Sequence, residues 1–331
     1  MEKNIIKEFT GISNDQAYAH VFSLRMMNPV PNHLGKFFGT DQREYMLPVL
    51  DRLISELPQN AEIFDVGAGA GDVVDFALKN AKPGTVINIE EPNPILLNAY
   101  NEKIKKYGRL SPGIAFQGAL QDLYEKKNQA FVPKKPQDLI LALHMIYHLT
   151  GFTSAEVDAE GDLIKAVSFL YERLASHGSL FIVYADLEAT SQGEAVCSMA
   201  EKYFESRYPD EPYAKNLLSI YRARNALLGE KGSIAKVLKN LYPGTHPTLS
   251  SQKVKSHFFG DTIEDIAALG LATELCPSDS DPFEIDKLKF CLNYVKENPN
   301  RIGLVKEERN VPQKGMWRAN EPQVLATISK G

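Results

Sequence analysis

The chain has 331 residues, 44% of them hydrophobic, which is enough for one large domain or for a core with an inserted subdomain. Its formal net charge is −5 and its Lys and Arg residues are dispersed, so the sequence gives no electrostatic footprint for a nucleic-acid partner. No apolar run approaches about eighteen residues and the N-terminus carries no signal-like segment, so we expect a cytoplasmic protein without a membrane partner.

The three cysteines are odd in number and widely spaced, which fits neither a disulfide framework nor a zinc site. We therefore expect no metal and interpret Cys197, Cys276 and Cys291 as structural thiols.

The first informative stretch in chain order is "IFDVGAGAGD", residues 63–72. An apolar run leads into three glycines, and a helix-like apolar spacing follows them, which predicts a strand, a tight turn and a helix. Glycine suits such a turn because the backbone takes positive φ and a ligand can approach the main chain closely. The candidate cofactor-binding residues of this turn are Asp65, Gly67, Ala68, Gly69 and Gly71.

Two kinds of nucleotide use a turn of this type. A dinucleotide fingerprint would require a third glycine at position 72, where this chain has Asp72, and a carboxylate at that helix N-terminus would repel pyrophosphate. The observed G-x-G-x-G spacing, with Asp65 two positions before Gly67, resembles motif I of the class I S-adenosylmethionine-dependent methyltransferases. That resemblance implies a ligand with a sulfonium and an amino group but no phosphate, and Asp65 suits its cationic methionine moiety.

A second predicted strand, residues 86–89, ends at Glu90 and Glu91, about twenty residues beyond the glycines. An acidic side chain at that place accepts the ribose hydroxyls of an adenosine, and a solvated acidic turn is the alternative. Glu91 is the first choice because the following proline fixes it at the strand tip, whereas we expect Glu90 to point to the other face.

The alternation of helix and strand continues with a helix at 94–106 and a strand at 113–117. In the methyltransferases whose motif I this glycine turn resembles, a polar residue after the corresponding strand often binds the adenine amino group. Gly118 and Ala119 occupy that place here, so the contact falls to Gln121 or Asp122.

The stretch "DLILALHMIYHLTG", residues 138–151, begins as a strand buried on both faces and turns polar at His144. Its carboxyl end lies in the crevice where ligands bind a doubly wound sheet. Leu143 is therefore a candidate cofactor contact, and His144, Tyr147 and His148 are candidates for the active-site lining. The alternative for a histidine after a strand is a packing or capping role.

A helix at 161–176 and a strand at 179–186 follow, and residues 187–259 then read as helices and loops without strands. We interpret that segment as a lid over the pocket, with an oligomer surface as the alternative. A sixth strand is expected near 271–275 and a last one at 324–328. The predicted fold is a Rossmann-like, doubly wound, seven-stranded and mostly parallel α/β sheet. We expect the chain to have four parts, namely a helical cap contributing to the substrate pocket (1–58), a cofactor-binding core (59–186), a helical lid inserted after strand five (187–260) and a C-terminal completion of the sheet (261–331).

The order of "IEEPNP", "DLILALHMIYHLTG", "LGLATEL" and an aspartate-rich loop resembles the histamine N-methyltransferase type of small-molecule methyltransferase. The resemblance implies that an acidic residue of the N-terminal segment, here Asp41, meets a substrate amine, and that His144 and Tyr147 line the pocket. The alternative for Asp41 is a place in the first turn of a helix, where the dipole favours an acid.

The predicted function is methyl transfer from S-adenosylmethionine to a small-molecule acceptor, such as an amine or imidazole nitrogen, by a monomer or homodimer. His144, with an unperturbed pKa of about 6.5, could take a proton from the acceptor. The alternatives are a methyltransferase-fold protein that binds without catalysing, a nicotinamide-dependent oxidoreductase and, more weakly, an aminopropyl transferase.

Overall fold

The computed structural model describes residues 5–21, 39–146, 149, 157–186, 213–267, 281–300, 303–310 and 314–331. The chain divides into two compact units, which are treated separately below. The core unit contains Arg43–Ala185, Leu218–Val254 and Gln323–Gly331, and the minor unit contains Met1–Gln42, Asp186–Leu217 and Lys255–Pro322. None of the helices in the described ranges is long and apolar enough to cross a membrane.

The strands and helices are numbered in chain order. The strands are β1 Gly39–Thr40, β2 Glu62–Val66, β3 Val86–Glu90, β4 Ser111–Phe116, β5 Gln137–Leu143, β6 Leu174–Ala185, β7 Pro247–Val254, β8 His257–Gly260, β9 Val305–Lys306, β10 Trp317–Asn320 and β11 Gln323–Lys330. The helices are α1 Ile5–Phe9, α2 Asn14–Val21, α3 Gln42–Glu56, α4 Asp72–Leu78, α5 Pro94–Lys106, α6 Leu120–Tyr124, α7 Ala159–Glu172, α8 Tyr213–Leu228, α9 Ile234–Leu241, α10 Ile263–Ile266 and α11 Ile285–Glu297.

The core unit is built on a seven-stranded sheet in the order β4-β3-β2-β5-β6-β11-β7. The first five strands in this order are parallel, and β11 runs antiparallel to both of its neighbours. The strand order reverses between β2 and β5, so the sheet is doubly wound and its crevice lies outside the carboxyl ends of those strands. The predicted Rossmann-like, seven-stranded and mostly parallel sheet is confirmed.

The central strands form because their sequences are apolar on both faces, as a parallel sheet covered by helices requires. All five residues of β2 are buried, and most of β5 is buried as well. Among the flanking helices, α5 has the predicted bounds because Asn93 caps it, with its side chain accepting hydrogen bonds from the amides of Ile95 and Leu96. The largely buried strands β2 and β5 are the ones that lead into the glycine turn and into the polar stretch beginning at residue 144.

The prediction that residues 187–259 contain no strands is wrong at its C-terminal end. This part of the chain contributes β7, which forms one edge of the core sheet, and β8. The signal was missed because β7, with the sequence "PTLSSQKV", alternates exposed and half-buried positions and contains no apolar run. The strand expected near 271–275 lies outside the described residues.

The minor unit contains its own four-stranded antiparallel sheet in the order β1-β8-β10-β9. The C-terminal part, 261–331, was expected to complete the main sheet, but among its described strands β9 and β10 belong to this second sheet and β11 alone joins the first. Cys291 is buried in α11, and burial raises the pKa of its thiol to about 12, which agrees with a structural role. Cys197 and Cys276 lie outside the described residues.

Candidate functional site

The glycine turn follows β2 and requires glycine for two separate reasons. Gly67, Gly69 and Gly71 have φ values of 58°, 55° and 67°, in the left-handed region that side chains disfavour. In addition, a Cβ on Gly67 would overlap the side chain of Met145, and one on Gly71 would overlap the ring of Tyr100. The turn is thus packed tightly between the segment after β5 and helix α5.

Two consecutive glutamates at the end of β3 bind the amides of this turn. The Gly67 N–H donates to Glu90 Oε2 at 2.7 Å, and the Gly69 N–H donates to Glu91 Oε2 at 2.7 Å. The other oxygen of Glu91 accepts from the amide of Asn93 at 2.8 Å. Both glutamates are buried.

The expectation that Glu90 points away from the glycine turn is therefore wrong. Strand alternation separates the side chains of consecutive residues only while both lie in the strand, and β3 ends at Glu90. Glu91 has already left the ladder with β2, and its amide donates to the carbonyl of Phe116 at 3.1 Å. Both carboxylates consequently reach the glycine turn.

Asp65 adds a third buried carboxyl group to this edge of the sheet. It accepts a hydrogen bond from the Tyr100 hydroxyl at 2.8 Å. Burial raises the pKa of Asp65 to about 8, the Tyr100 hydrogen bond opposes that rise, and the charge of Glu91 adds to it. Burial likewise raises the pKa of Glu90 to about 8, and the Gly67 amide opposes that rise. Asp65 and Glu90 are therefore largely protonated at pH 7, and a positively charged ligand beside them would stabilise their ionised forms.

Asp72, the first residue of α4, is balanced by neighbouring cations. It forms an ion pair with Lys103, whose Nζ also donates to the carbonyl of Ala70 at 2.8 Å. Burial lowers the pKa of Arg43, and the charge of Asp72 opposes that shift. The argument that Asp72 repels pyrophosphate is weakened by these cations. The stronger obstacle to a phosphate is that Glu90 and Glu91 already bind the turn's amides.

Gln121 and Asp122 lie in α6, after β4. The Gln121 amide donates to the carbonyl of Leu149 at 3.1 Å, which ties α6 to the segment after β5. Asp122 pairs with Lys127 at 3.6 Å. Leu143, the last residue of β5, is half-buried against the core.

His144 follows β5 with a left-handed φ of 56°. Its Nε2 lies 3.1 Å from Oε1 of Gln323. Burial lowers the pKa of His144 to about 4, against a smaller opposing effect of the Gln323 hydrogen bond, so the ring is neutral at pH 7. The expectation of an unperturbed pKa near 6.5 is wrong, because it took no account of burial. Tyr147 and His148 lie outside the described residues.

Asp41 belongs to the minor unit, between β1 and α3. Its Oδ1 accepts from the amide of His257 at 2.6 Å, and its Oδ2 lies 2.7 Å from His257 Nδ1. It precedes the first residue of α3, whose amide is bound by the Thr40 hydroxyl at 3.1 Å. The carboxylate thus joins β1 to β8, a role that neither sequence alternative included.

Sequence reasoning missed four residues that shape these sites, namely Tyr100, Met145, His257 and Gln323. Tyr100 lies on the buried face of α5, and that periodicity alone indicates packing. Gln323 and His257 reach their partners across 179 and 216 residues, a separation for which a single sequence holds no signal. Within the described ranges, no group of three or more His, Cys, Asp and Glu side chains could hold a metal ion.

No protein-family model matches the sequence, and no curated protein matches it. Solved structures do resemble it. The YcgJ protein from Bacillus subtilis is 12% identical, with a TM-score of 0.46 and coverage of 86% of this chain and 98% of that chain. A SAM-dependent methyltransferase from Thiobacillus denitrificans, in complex with S-adenosyl-L-homocysteine, is 13% identical, with a TM-score of 0.44 and coverage of 95% and 97%. The Rossmann-like fold of this chain is assigned from its own strand order, β4-β3-β2-β5-β6-β11-β7.

Proposed function

We propose that this protein is an S-adenosylmethionine-dependent methyltransferase that acts on a small-molecule acceptor. The observation that carries the proposal is that the amides of Gly67 and Gly69 donate to Glu90 and Glu91. In a dinucleotide-binding turn the ligand phosphates would approach this region. Here the carboxyl groups of Glu90 and Glu91 occupy it, and a cationic sulfonium and ammonium would stabilise their ionised forms, whereas a pyrophosphate would oppose them.

The cofactor roles follow the order of the strands. Glu91 and Glu90 accept the ribose hydroxyls, and the glycine turn receives the methionine part of the cofactor. One oxygen of Asp65 is bound by Tyr100, and the cofactor's ammonium group would stabilise the ionised form of this carboxyl and donate to its remaining acceptor sites. Gln121 or Asp122 binds the adenine amino group, and Leu143 contributes an apolar contact.

The reaction makes few chemical demands on the protein. When bound, S-adenosylmethionine would supply a methyl group that the acceptor's lone pair displaces, with the electrons of the broken carbon–sulfur bond left on the sulfide. Holding the two reactants at near-attack distance can supply about 7–11 kcal/mol. A proton lost by the acceptor passes to a base, for which His144 is the candidate, and Tyr147 is a candidate for lining the pocket.

The acceptor is proposed to be basic, an amine or an imidazole, with Asp41 as the carboxylate that meets it. Asp41 already binds the amide and the ring of His257. An amine would therefore meet an aspartate–histidine pair rather than an isolated acid. The proposed partners are the cofactor and this small molecule, without nucleic acid, and the proposed assembly is a monomer or homodimer.

Calorimetry with S-adenosylhomocysteine and with NAD tests the cofactor directly. We expect binding of the first and none of the second, and tight binding of NAD would overturn the proposal. Transfer of a labelled methyl group, screened over amines, imidazoles, phenols and carboxylic acids, then tests the reaction. Binding of S-adenosylhomocysteine with no transfer to any class would leave a binding protein without catalysis.

A further inference from the structure

Two buried carboxyl groups beside the glycine turn have only neutral hydrogen-bond donors as partners in the described part of the chain. Asp65 is 1% exposed and accepts from the Tyr100 hydroxyl at 2.8 Å. Glu90 is 2% exposed and accepts from the Gly67 amide at 2.7 Å. Within the described ranges neither forms an ion pair with a lysine, arginine or histidine. A buried carboxylate without a cation is costly in free energy, so each carboxyl group tends to keep its proton instead.

The titratable groups that face this pair are themselves acids. Burial is the main reason that the pKa values of Asp65 and Glu90 are raised to about 8, and the charge of Glu91 adds to both shifts. The charge of Asp65 also raises the pKa of Glu90, so ionisation of one opposes ionisation of the other. The further titratable groups that act on Tyr100 are Asp75 of α4 and Tyr107. In the described part of the chain these neighbours supply no positive charge, so a cationic ligand would be the group that stabilises the ionised pair.

We propose that the pair of Asp65 and Glu90 gives up a proton when S-adenosylmethionine binds, so that the affinity for the cofactor depends on pH and on the positive charge of the ligand. This inference rests on the proposed function. The O–H bond of one carboxyl breaks, its proton passes to the buffer, and the positive charges of the ligand stabilise the carboxylate that remains. A ligand without positive charge does not stabilise that carboxylate, so it should bind without releasing the proton.

The direction of the pH dependence follows from this exchange. The ligand-free pair holds a proton that the complex lacks, so cofactor binding tightens as pH rises, by up to about tenfold per pH unit for each proton released. The useful window runs from about pH 6 to about pH 7.5, because α-amino groups begin to lose their own proton at about pH 7.7–8.0. S-adenosylhomocysteine keeps the ammonium but has no sulfonium, so its binding should release fewer protons. The preference for cofactor over spent cofactor should therefore increase with pH.

Calorimetry in phosphate and in Tris, two buffers with different heats of ionisation, counts the released protons directly. At pH 7 we expect release of about one proton with S-adenosylmethionine, fewer with S-adenosylhomocysteine, and none with 5′-methylthioadenosine, which carries neither charge. The double variant Asp65→Asn/Glu90→Gln keeps the shapes of both side chains but cannot ionise, and it should release none. Asp286→Asn, an exposed substitution of the same kind, is the matched control and should release as many protons as the wild type.

Infrared difference spectra give a second readout that needs no activity. The carbonyl-stretch band of protonated carboxylic acids should lose intensity when S-adenosylmethionine is added to the wild type, and this loss should be absent from the double variant. Cofactor binding that releases no proton and has the same Kd from about pH 6 to about pH 7.5 would overturn the inference alone, even if the double variant did not fold. A proton release that persists in a folded double variant would also contradict it. If neither S-adenosylmethionine nor S-adenosylhomocysteine binds at any pH, the proposed function fails as well.

Discussion

At the end of β3, Glu90 and Glu91 each bind a different amide of the glycine turn, which makes their contributions separable by substitution. Glu91→Ala removes an acceptor for two amides and, in the proposed site, for ribose hydroxyls. Loss of hydrogen bonds to a charged group should weaken S-adenosylhomocysteine binding by about 1.5–3 kcal/mol. Calorimetry measures this, and Glu102→Ala, on the exposed side of α5, serves as the control. Equal affinities in the wild type and Glu91→Ala would remove Glu91 from the site.

The buried carboxyls also predict how stability depends on pH. The pKa values of Asp65 and Glu90 in the folded protein are about 8, above the ordinary range of about 4 for carboxyls in an unfolded chain. Between about pH 4 and about pH 8 the folded state therefore holds more protons than the unfolded state, and the stability of the folded state falls as pH rises toward 8. His144, with a pKa lowered to about 4, has the opposite effect below about pH 6.5, so the window that isolates the carboxyls runs from pH 6.5 to 8.5.

Urea unfolding at those two pH values is the measurement. The wild type should lose stability from pH 6.5 to 8.5, and Asp65→Asn should lose less, because the amide does not titrate. Asp286→Asn, an exposed position on α11 with a side-chain exposure of 63%, should behave like the wild type. A wild-type stability that rises over this window would show that the carboxyls are ionised at lower pH than the geometry indicates.

At the scale of single elements, the glycine turn tolerates no side chain at Gly71. An alanine there would combine a left-handed φ with overlap of the Tyr100 ring. We expect Gly71→Ala to cost about 1–3 kcal/mol of unfolding free energy, since strain and overpacking each contribute at that level. Gly244→Ala is a suitable control, because a Cβ at Gly244 meets nothing within 4 Å. Equal unfolding free energies for the two variants would mean that the turn relaxes freely.

The C-terminal end of helix α7 is capped by a lysine from a strand that is distant in sequence. Lys330 of β11 donates to the carbonyls of Tyr171, Glu172 and Leu174 at 3.3, 3.2 and 2.9 Å. Tyr171 and Glu172 belong to the last turn of α7, where carbonyls have no partner four residues on within the helix, and Leu174 begins β6. The positive charge of Lys330 also suits the C-terminal end of the helix dipole. Lys330→Met should therefore lower the unfolding free energy by about 1–2 kcal/mol in thermal or urea unfolding, whereas Lys165→Met on the exposed face of α7 should not.

How far the sequence predicts each element depends on where its information lies. The apolar strands β2, β3 and β5, the glycine turn and helix α5 were predicted because their signals are local in the chain. Strand β7 was missed because an edge strand needs no apolar run, and β8 was missed because its partners β1 and β10 lie far away in sequence. The pairing of Asp41 with His257 and of His144 with Gln323 depends on the folded sheet registers, which no local pattern contains.

At the scale of the whole molecule, the segment predicted as a lid is divided between the two compact units. Residues 218–254 belong to the core unit, where Leu227, Leu228, Ile234 and Leu238 are fully buried. The Tyr184 hydroxyl of β6 also donates to the side chain of Asn225 at 3.1 Å. Helix α9 and the part of α8 from residue 218 onward are thus packed against the core sheet and its helices rather than arranged as a separate cover. The segment that we propose as a lid is therefore shortened from residues 187–260 to residues 187–217.

Hydrogen exchange followed by mass spectrometry tests this division. Peptides from 218–241 should be protected already in the ligand-free protein, because their apolar side chains are buried and exchange there requires a large opening. Peptides from 187–217 should gain protection only when S-adenosylhomocysteine and an acceptor are bound together, if this segment covers the pocket. Protection of 187–217 that depends on protein concentration but not on ligands would instead identify an oligomer surface, consistent with the three tyrosines of this segment. Fast exchange throughout 218–241 without ligand would contradict the assignment of these residues to the core unit.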